Sequence, residues 1–148
     1  MTLNERLGQE IKAAMIAKDA DRLNALRMLK SAAGYAQIEK KVDSLSDADF
    51  IAVAQKEIKK RKDSIEQFEQ GGRPELAAKE RAEVSALESF LPQPLSSGEL
   101  EELVKATIQE VGATSKKEMG AVIKAVQAKA AGRADGKSVS ALVGKLLP

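Results

Sequence analysis

The residues of this chain that most resemble a chemical motif lie near its end, at positions 132–138. Gly136, Lys137 and Ser138 match the last three residues of the phosphate-binding loop of nucleotide hydrolases. That motif needs a glycine five positions before Gly136, where this chain has Ala131, and it follows a strand, whereas a helix is predicted here. A nucleotide site is therefore not expected. A weak anion site at a helix start and a plain helix-to-helix turn remain as alternatives.

Two missing residue types limit the catalysis that this chain can perform, because it contains no Cys and no His. Their absence removes the thiol nucleophile, the imidazole base and the usual zinc ligands, which excludes zinc hydrolysis and triad chemistry. Lys60 and Ser64 stand one helical turn apart, but the sequence offers no oxyanion site beside this pair. Paired carboxylates could still act alone. We expect a protein that is not catalytic by itself and that binds no metal or cofactor.

Positive charge is concentrated at the end of the chain. The formal net charge is only +2, yet residues 112–148 contain seven basic side chains against two acidic ones, Glu118 and Asp135. The basic residues are Lys116, Lys117, Lys124, Lys129, Arg133, Lys137 and Lys145. This surplus predicts an anionic partner, for which tRNA or another structured RNA is the natural candidate. A solvated, lysine-rich helical face is the alternative interpretation.

Base stacking is not expected to contribute to RNA binding. The aromatic residues are Tyr35 and three phenylalanines that fit core positions, Phe50, Phe68 and Phe90, so contacts would go to the RNA backbone and shape. No apolar run reaches the roughly 18 residues of a membrane span, and the first residues lack a secretory signal pattern. We expect a cytoplasmic protein with no membrane partner.

Hydrophobic periodicity predicts an all-α chain, with about four helices before Pro92 and three after it. No segment alternates with a period of two for long enough to indicate a strand. Each of the last three helices opens with a cap signal. The signals are Ser96 with Glu99 and Ser115 with Glu118, both interpreted as capping boxes, and Asp135 with Ser138.

Pro92 and Pro94 divide the chain, since they disfavour helix and stiffen a short extended segment. We predict an N-terminal helical domain over residues 1–91, a Pro-rich connector over 92–95 and a C-terminal three-helix domain over 96–148. A bundle of that size buries little apolar surface and should be only marginally stable alone.

The third helix carries a basic run that we expect to pair with carboxylates of the same helix. The run is Lys56, Lys59, Lys60, Arg61 and Lys62, and the carboxylates are Glu57, Asp63 and Glu66. Arg61 is the exception, because its register places it near the apolar face. Its stem can pack there while its head pairs with a carboxylate.

Gly120 lies on the flank of the sixth helix, where glycine costs roughly 1 kcal/mol of helix propensity relative to alanine. Close packing of another helix is the favoured reason for this glycine, and approach of a nucleic-acid backbone is the alternative. Lys117 and Lys124 are seven residues apart and fall opposite the apolar stripe of the same helix. Both should project to solvent as phosphate contacts.

Several ordered motifs along the chain resemble the YqeY family from end to end. They are Lys59-Lys-Arg-Lys-Asp-Ser-Ile-Glu-Gln-Phe, Gly72-Arg with Glu75-Leu-Ala, Leu87-Glu-Ser-Phe-Leu-Pro-Gln-Pro-Leu-Ser, Gly112-Ala-Thr-Ser-Lys-Lys-Glu-Met-Gly and Gly132-Arg-Ala-Asp-Gly-Lys. The resemblance implies an all-helical front domain and a three-helix back domain. The back domain is similar to the C-terminal tail of the GatB component of the tRNA-dependent aspartyl/glutamyl amidotransferase, a tail associated with holding tRNA.

The resemblance therefore implies a non-catalytic tRNA-binding accessory protein, related to a carbon-nitrogen ligase that uses glutamine as its amido-nitrogen donor. It assigns the tRNA contacts to Lys116, Lys117, Met119, Gly120, Arg133, Gly136 and Lys137, to which the helical spacing adds Lys124. An amidotransferase or an aminoacyl-tRNA synthetase is the expected protein partner. The alternative function is a protein-interaction module that docks on such an enzyme through the N-terminal helices.

Overall fold

The computed structural model describes residues 1–148, and all of its regular secondary structure is helical, which confirms the all-α prediction. Its helices are α1 (Leu3–Ala17), α2 (Ala20–Lys40), α3 (Asp47–Gln70), α4 (Pro74–Glu88), α5 (Ser97–Val111), α6 (Met119–Ala130) and α7 (Gly136–Leu146), with a short 3₁₀ turn at Lys116–Glu118. The chain forms two compact units, Met1–Leu91 with α1 to α4 and Pro92–Pro148 with α5 to α7. They are called the front unit and the back unit below.

The core of the front unit is built from leucines of the first two helices and from two aromatic rings. Phe50 and Phe90 are fully buried, with ring centroids 5.7 Å apart and planes tilted by 52°. The guanidinium of Arg6 lies 4.7 Å from the centre of the Phe90 ring, and its Nη2 donates a hydrogen bond to the Ser89 carbonyl. The expectation that Phe68 is a core residue is wrong, because its side chain is only partly buried.

The core of the back unit is built almost wholly from valines, which suits closely spaced short helices. The fully buried side chains include Val104 of α5, Val122 and Val126 of α6, and Val139 and Val143 of α7. Since β-branched side chains have few rotamers to lose, five such residues at helical spacing give a compact seam between three short helices. The elements that carry the basic residues are therefore fixed by apolar packing.

Helices α6 and α7 run antiparallel, and two glycines of α7 mark where they touch. A β-carbon added at Gly136 would lie 3.1 Å from Nε2 of Gln127, and one added at Gly144 would lie 3.4 Å from Cε of Met119. The start of α7 therefore packs on the end of α6, and the end of α7 packs on its start. With 12 residues in α6, the two ends of this hairpin are about 18 Å apart.

Two of the three cap predictions in the back unit are confirmed. Ser96 and Glu99 form a full capping box in which each side chain accepts the backbone N–H of the other. The Asp135 side chain accepts the N–H of Ser138 at 2.6 Å. Both caps fix the first turns of α5 and α7, where free backbone donors need acceptors.

The capping box predicted at Ser115 and Glu118 is wrong. Ser115 makes no side-chain cap, and α6 begins only at Met119, after the 3₁₀ turn. The carboxylate of Glu118 turns instead to the backbone N–H of Thr114, at 2.6 Å. The same sequence pattern thus stabilises the loop before the helix, and it holds Lys116 and Lys117 in a tight turn.

The segment after Pro92 is tied to the turn between α6 and α7. Leu95 donates its backbone N–H to the Arg133 carbonyl at 2.8 Å, and Nε of Arg133 donates to the Gln93 carbonyl at 2.9 Å. These bonds satisfy an extended stretch that lies outside any helix. Arg133 therefore has a structural role within the back unit.

Candidate nucleic-acid interface

The residues predicted to contact RNA do not form one cluster but lie at two ends of the α6–α7 hairpin. Lys116, Lys117, Met119 and Gly120 belong to the start of α6, whereas Arg133, Gly136 and Lys137 belong to the opposite end, around the turn into α7. Lys124 lies midway along α6. The two groups are therefore separated by about the 18 Å length of α6.

Five lysines of this region are exposed and form no hydrogen bond or ion pair within the chain. They are Lys116, Lys117, Lys124, Lys137 and Lys145. Lys145 is not among the RNA contacts predicted from the sequence, which include Lys116 beside the start of α6. The contact between Gly144 and Met119 places it at the same end of the hairpin. Unpaired ammonium groups are available to phosphates at no cost in broken ion pairs.

Three other cations of the back unit are already engaged. Lys105 pairs with Glu101 at 3.3 Å, Lys129 pairs with Glu110, and Arg133 bonds to the Gln93 carbonyl through Nε. Of these, only Arg133 is among the predicted RNA contacts. Its side chain is exposed, so a phosphate that approached it would meet a guanidinium already oriented by the chain.

Gly120 is not explained by packing within the chain, so the favoured expectation is wrong. It is exposed, and a β-carbon added there would meet no atom within 4 Å. Gly120 is the second residue of α6, and in this first turn glycine costs less helix propensity than in a helix interior. Packing of another helix does not account for this glycine, and approach of a nucleic-acid backbone stays a prediction.

Met119 and Gly136 have packing roles that compete with RNA contact. Met119 is partly buried against the core of the back unit. Gly136 is the first residue of α7, and its missing side chain leaves room for the Gln127 amide. The geometry therefore gives these two residues a part in joining α6 to α7, which positions the lysines.

The side of the back unit along α5 carries charges of both signs. An open depression of about 720 Å³ is lined there by Glu99, Glu101 and Glu102 together with Lys105, Lys129 and Arg133. Hydrogen bonding from Ser96, by its side chain and then its backbone N–H, holds the pKa of the Glu99 carboxyl below its ordinary value. Because Lys105 and Lys129 are already in ion pairs, this depression lacks the free positive charge of the α6–α7 hairpin.

The basic run of α3 is only partly paired, contrary to expectation. Lys60 lies 3.5 Å from Glu57, and Arg61 forms several ion pairs, but Lys56, Lys59 and Lys62 are exposed and have no partner within the chain. The Ser–Lys dyad is also absent. The Ser64 hydroxyl donates to the backbone carbonyl of Lys60, and the Lys60 ammonium faces Glu57.

The prediction for Arg61 is confirmed, and the structure adds two partners that lie on α4. Arg61 is 5% exposed, and its Nη1 and Nε contact the carboxylates of Glu57 and Glu83 at 3.2 and 3.3 Å. Asn24 donates to the other oxygen of Glu83 at 2.7 Å. Glu80 lies 4.0 Å from Nε of Arg61. This buried cluster joins α2, α3 and α4.

Glu80 is the carboxylate of this cluster that is left least compensated. Burial, followed by the neighbouring Glu83 carboxylate, raises the pKa of Glu80 above its ordinary value of 4.5, while Arg61 and Lys79 partly oppose that rise. The cluster lacks the ligand arrangement of a metal site, and no group of acidic side chains in the chain has one. Its chemistry is therefore that of ion pairing.

Comparison with known protein families gives one match, and it covers nearly the whole chain. Residues 4–147 match the family described as Yqey-like protein.

No helix of the chain combines the length and apolar character that crossing a membrane requires.

Relatives occur in fungi. An uncharacterized protein of Schizosaccharomyces pombe is 36% identical over 84 residues, which cover 57% of this chain and 68% of that protein. The protein called altered inheritance of mitochondria protein 41, mitochondrial, of Saccharomyces cerevisiae is 35% identical over 92 residues, which cover 62% of this chain. The aligned region spans only half of that protein.

Proposed function

The chain belongs to the YqeY family, and from that premise we propose that it is a non-catalytic tRNA-binding accessory protein whose RNA surface is the α6–α7 hairpin. The observation that carries the proposal is the set of five exposed lysines without internal partners, Lys116, Lys117, Lys124, Lys137 and Lys145. Release of counterions from RNA drives binding to such a set, and no internal ion pair has to break.

The spacing of the lysines favours a folded RNA over a single strand. Lys117 and Lys137 lie near opposite ends of a hairpin about 18 Å long, so they reach phosphates that are not close neighbours on one strand. Residues 92–148 also contain no Phe, Tyr or Trp, which removes the stacking platform that single-strand binders use. Backbone and shape recognition is typical of structured RNA.

The accessory role rests on the chemistry that the chain lacks. Without Cys or His it has no activated nucleophile of the common kinds for releasing ammonia from glutamine. We therefore propose that the protein serves a tRNA-dependent amidotransferase system in the cytoplasm. Its protein partner in this proposal is the amidotransferase or an aminoacyl-tRNA synthetase.

The binding test is a titration of the full chain with total tRNA and with duplex DNA of equal charge, at about 50 and 200 mM salt, where phosphate contacts lose most affinity. The test variant replaces Lys116, Lys117 and Lys137 by Gln. The control replaces Lys12, Lys59 and Lys62 of the front unit by Gln, which are also exposed and unpaired. Both variants change the net charge equally.

We expect the back-unit variant to lose about tenfold or more in tRNA affinity at the lower salt, and the control to change less than about twofold. Wild-type protein should prefer tRNA over the duplex at both salt concentrations. Equal losses for the two variants, or equal affinity for tRNA and DNA, would show that binding is generic and would refute the proposal.

The non-catalytic part of the proposal has a separate test. Purified protein is incubated with glutamine, with and without misacylated tRNA, and ammonia is measured. We expect no ammonia above the level of the buffer. Turnover by the purified chain would overturn the accessory role while leaving the RNA surface standing.

A further inference from the structure

An open groove of about 830 Å³ runs along the front unit between α2 and α3, with α4 at one end. The two walls are antiparallel, since Lys40 at the end of α2 pairs with Asp49 at the start of α3, at 3.3 Å. The apolar part of the lining is Met28, Ala32, Tyr35, Val53, Phe68 and Leu76. The groove lies wholly within the front unit.

Two large apolar side chains on the α2 wall of the groove are exposed, and the sulfur of one of them, Met28, accepts a hydrogen bond from Nη2 of Arg61 at 3.2 Å. Met28 and Tyr35 are 48% and 76% exposed. They are seven residues apart, which is two helical turns, so both lie on the same face of α2. Isolated exposed apolar residues are normal, but a pair in register beside a groove is typical of a surface that another helix covers.

The charged residues that line the groove are balanced in number, but its less exposed ones comprise three carboxylates and one cation. Arg61 is the one buried cation, and it is shared by Glu57, Glu83 and Glu80. The two closer carboxylates take its hydrogen bonds, whereas Glu80 stands 4.0 Å away with its side chain 25% exposed. Glu39, Lys56, Lys60 and Lys79 are the exposed charged residues of the lining; Lys60 pairs with Glu57 at 3.5 Å, and Lys79 partly opposes the rise in the pKa of Glu80. A cation that entered the groove would be stabilised at Glu80.

We propose that this groove docks an amphipathic helix of a partner protein, which lays its apolar face on Met28 and Tyr35 and places a Lys or Arg side chain at Glu80. This inference concerns the front unit and goes beyond the RNA-binding proposal, which concerns the back unit. Charge complementarity favours this occupant, because the ion pair of Glu80 with Arg61 is long, at 4.0 Å, and Arg61 is shared with two closer carboxylates.

The dimensions of the groove suit a helix of about four turns. The α2 residues that line it extend from Asn24 to Glu39, a length of about 22 Å, which equals about 15 residues of helix. Two antiparallel helices provide the parallel ridges between which a third helix packs. The small side chains Ala32 and Ala36 at the middle of the α2 wall allow its backbone to approach closely.

The test is a selection, against the full chain, from a displayed library of helix-forming peptides of about 15 residues with randomised surface positions. We expect the enriched peptides to carry an apolar stripe with i, i+4, i+7 spacing and at least one Lys or Arg at its border. Failure to enrich any peptide, or enrichment without a basic residue, would overturn the proposal.

The selected peptide is then titrated against matched variants. Glu80→Lys should weaken binding by about tenfold or more, whereas Glu66→Lys, at an exposed glutamate without a partner on the same helix as Arg61, should not. Tyr35→Ser should also weaken binding, and Ile16→Ser, which alters a residue 84% exposed on α1, should have no effect. When the basic residue of the selected peptide is changed to Glu, the altered peptide should bind the Glu80→Lys variant more tightly than the original peptide does. Lack of this rescue would contradict the assigned charge contact.

Two further measurements, of self-association and of tRNA affinity, test the identity of the occupant and the independence of the two proposals. Sedimentation that shows a dimer abolished by Tyr35→Ser would identify a second copy of this chain as the occupant and would overturn the proposal of a separate partner. The tRNA affinity of Glu80→Gln and Tyr35→Ser should equal that of the wild type. The groove proposal can therefore fail while the RNA proposal stands, and the reverse also holds.

Discussion

The Oε2 atom of Glu80 lies 4.0 Å from Nε of Arg61, a guanidinium that already contacts Glu57 and Glu83. Three carboxylates thus face one buried cation. Because Glu57 and Glu83 are closer and more buried, they hold Arg61, and Glu80 mainly adds negative charge. The same relationship governs the stability of the front unit and the chemistry of its groove.

Glu80→Gln should raise the free energy of unfolding of the front unit at pH 7. The pKa of Glu80 is raised in the folded state, so the folded protein binds the proton more tightly, and stability decreases as pH rises above 4.5. Glu80→Gln has no titrating carboxyl at this position, so this decrease in stability with rising pH does not occur in the variant. Urea unfolding from pH 4 to 8 should show the two proteins converging at the acid end and separating towards neutrality. A less stable variant at pH 7 would mean that attraction to Arg61 outweighs the repulsion.

Arg61→Met should destabilise the front unit by about 3–5 kcal/mol, because it leaves Glu57 and Glu83 buried without their cation. The control is Lys62→Met, at the next position of α3, which is exposed and unpaired and should change stability by less than about 0.5 kcal/mol. Urea unfolding followed by circular dichroism measures both. Similar values for the two variants would show that the cluster does not hold the helices together.

Ser96→Ala should cost the back unit about 1 kcal/mol, whereas Ser115→Ala should cost almost nothing. The Ser96 hydroxyl accepts the N–H of Glu99 at 3.1 Å, but Ser115 caps no helix. Both serines stand three residues before a glutamate, and this sequence pattern alone predicts equal losses of stability for the two variants. Thermal unfolding of the two variants decides between the pattern and the geometry, and equal losses would favour the capping box that the sequence predicts.

Gly120→Ala should stabilise the back unit by up to about 1 kcal/mol, since the added methyl group meets no atom within 4 Å and alanine favours helix, though less in the first turn of α6 than in a helix interior. Gly112→Ala should destabilise it by about as much, because Gly112 has a φ of +74° at the end of α5. In a tRNA titration, Gly120→Ala should weaken binding even though it stabilises the fold. Unchanged affinity would remove Gly120 from the RNA surface.

How much of the molecule could be predicted differs between its helices and its sites. The seven helices follow from 3.6-residue periodicity and from cap residues such as Ser96 and Asp135, which act within one turn. The failure at Ser115 has the same physical origin. The Glu118 carboxylate accepts the N–H of Thr114, whereas a capping box needs the N–H of Ser115, and the local sequence does not specify which of the two is used.

The sequence by itself determined the helical class, the absence of thiol and imidazole chemistry, and the surplus of lysines near the end of the chain, because these are properties of composition and of local spacing. Only the tertiary structure decided which charges meet. Arg61 pairs with Glu83, 22 residues away, because α3 and α4 pack side by side. Lys145 lies at the end of the hairpin where α6 begins, because α7 packs on α6. Contacts between helices are set by the shared burial of apolar faces, which no local pattern specifies.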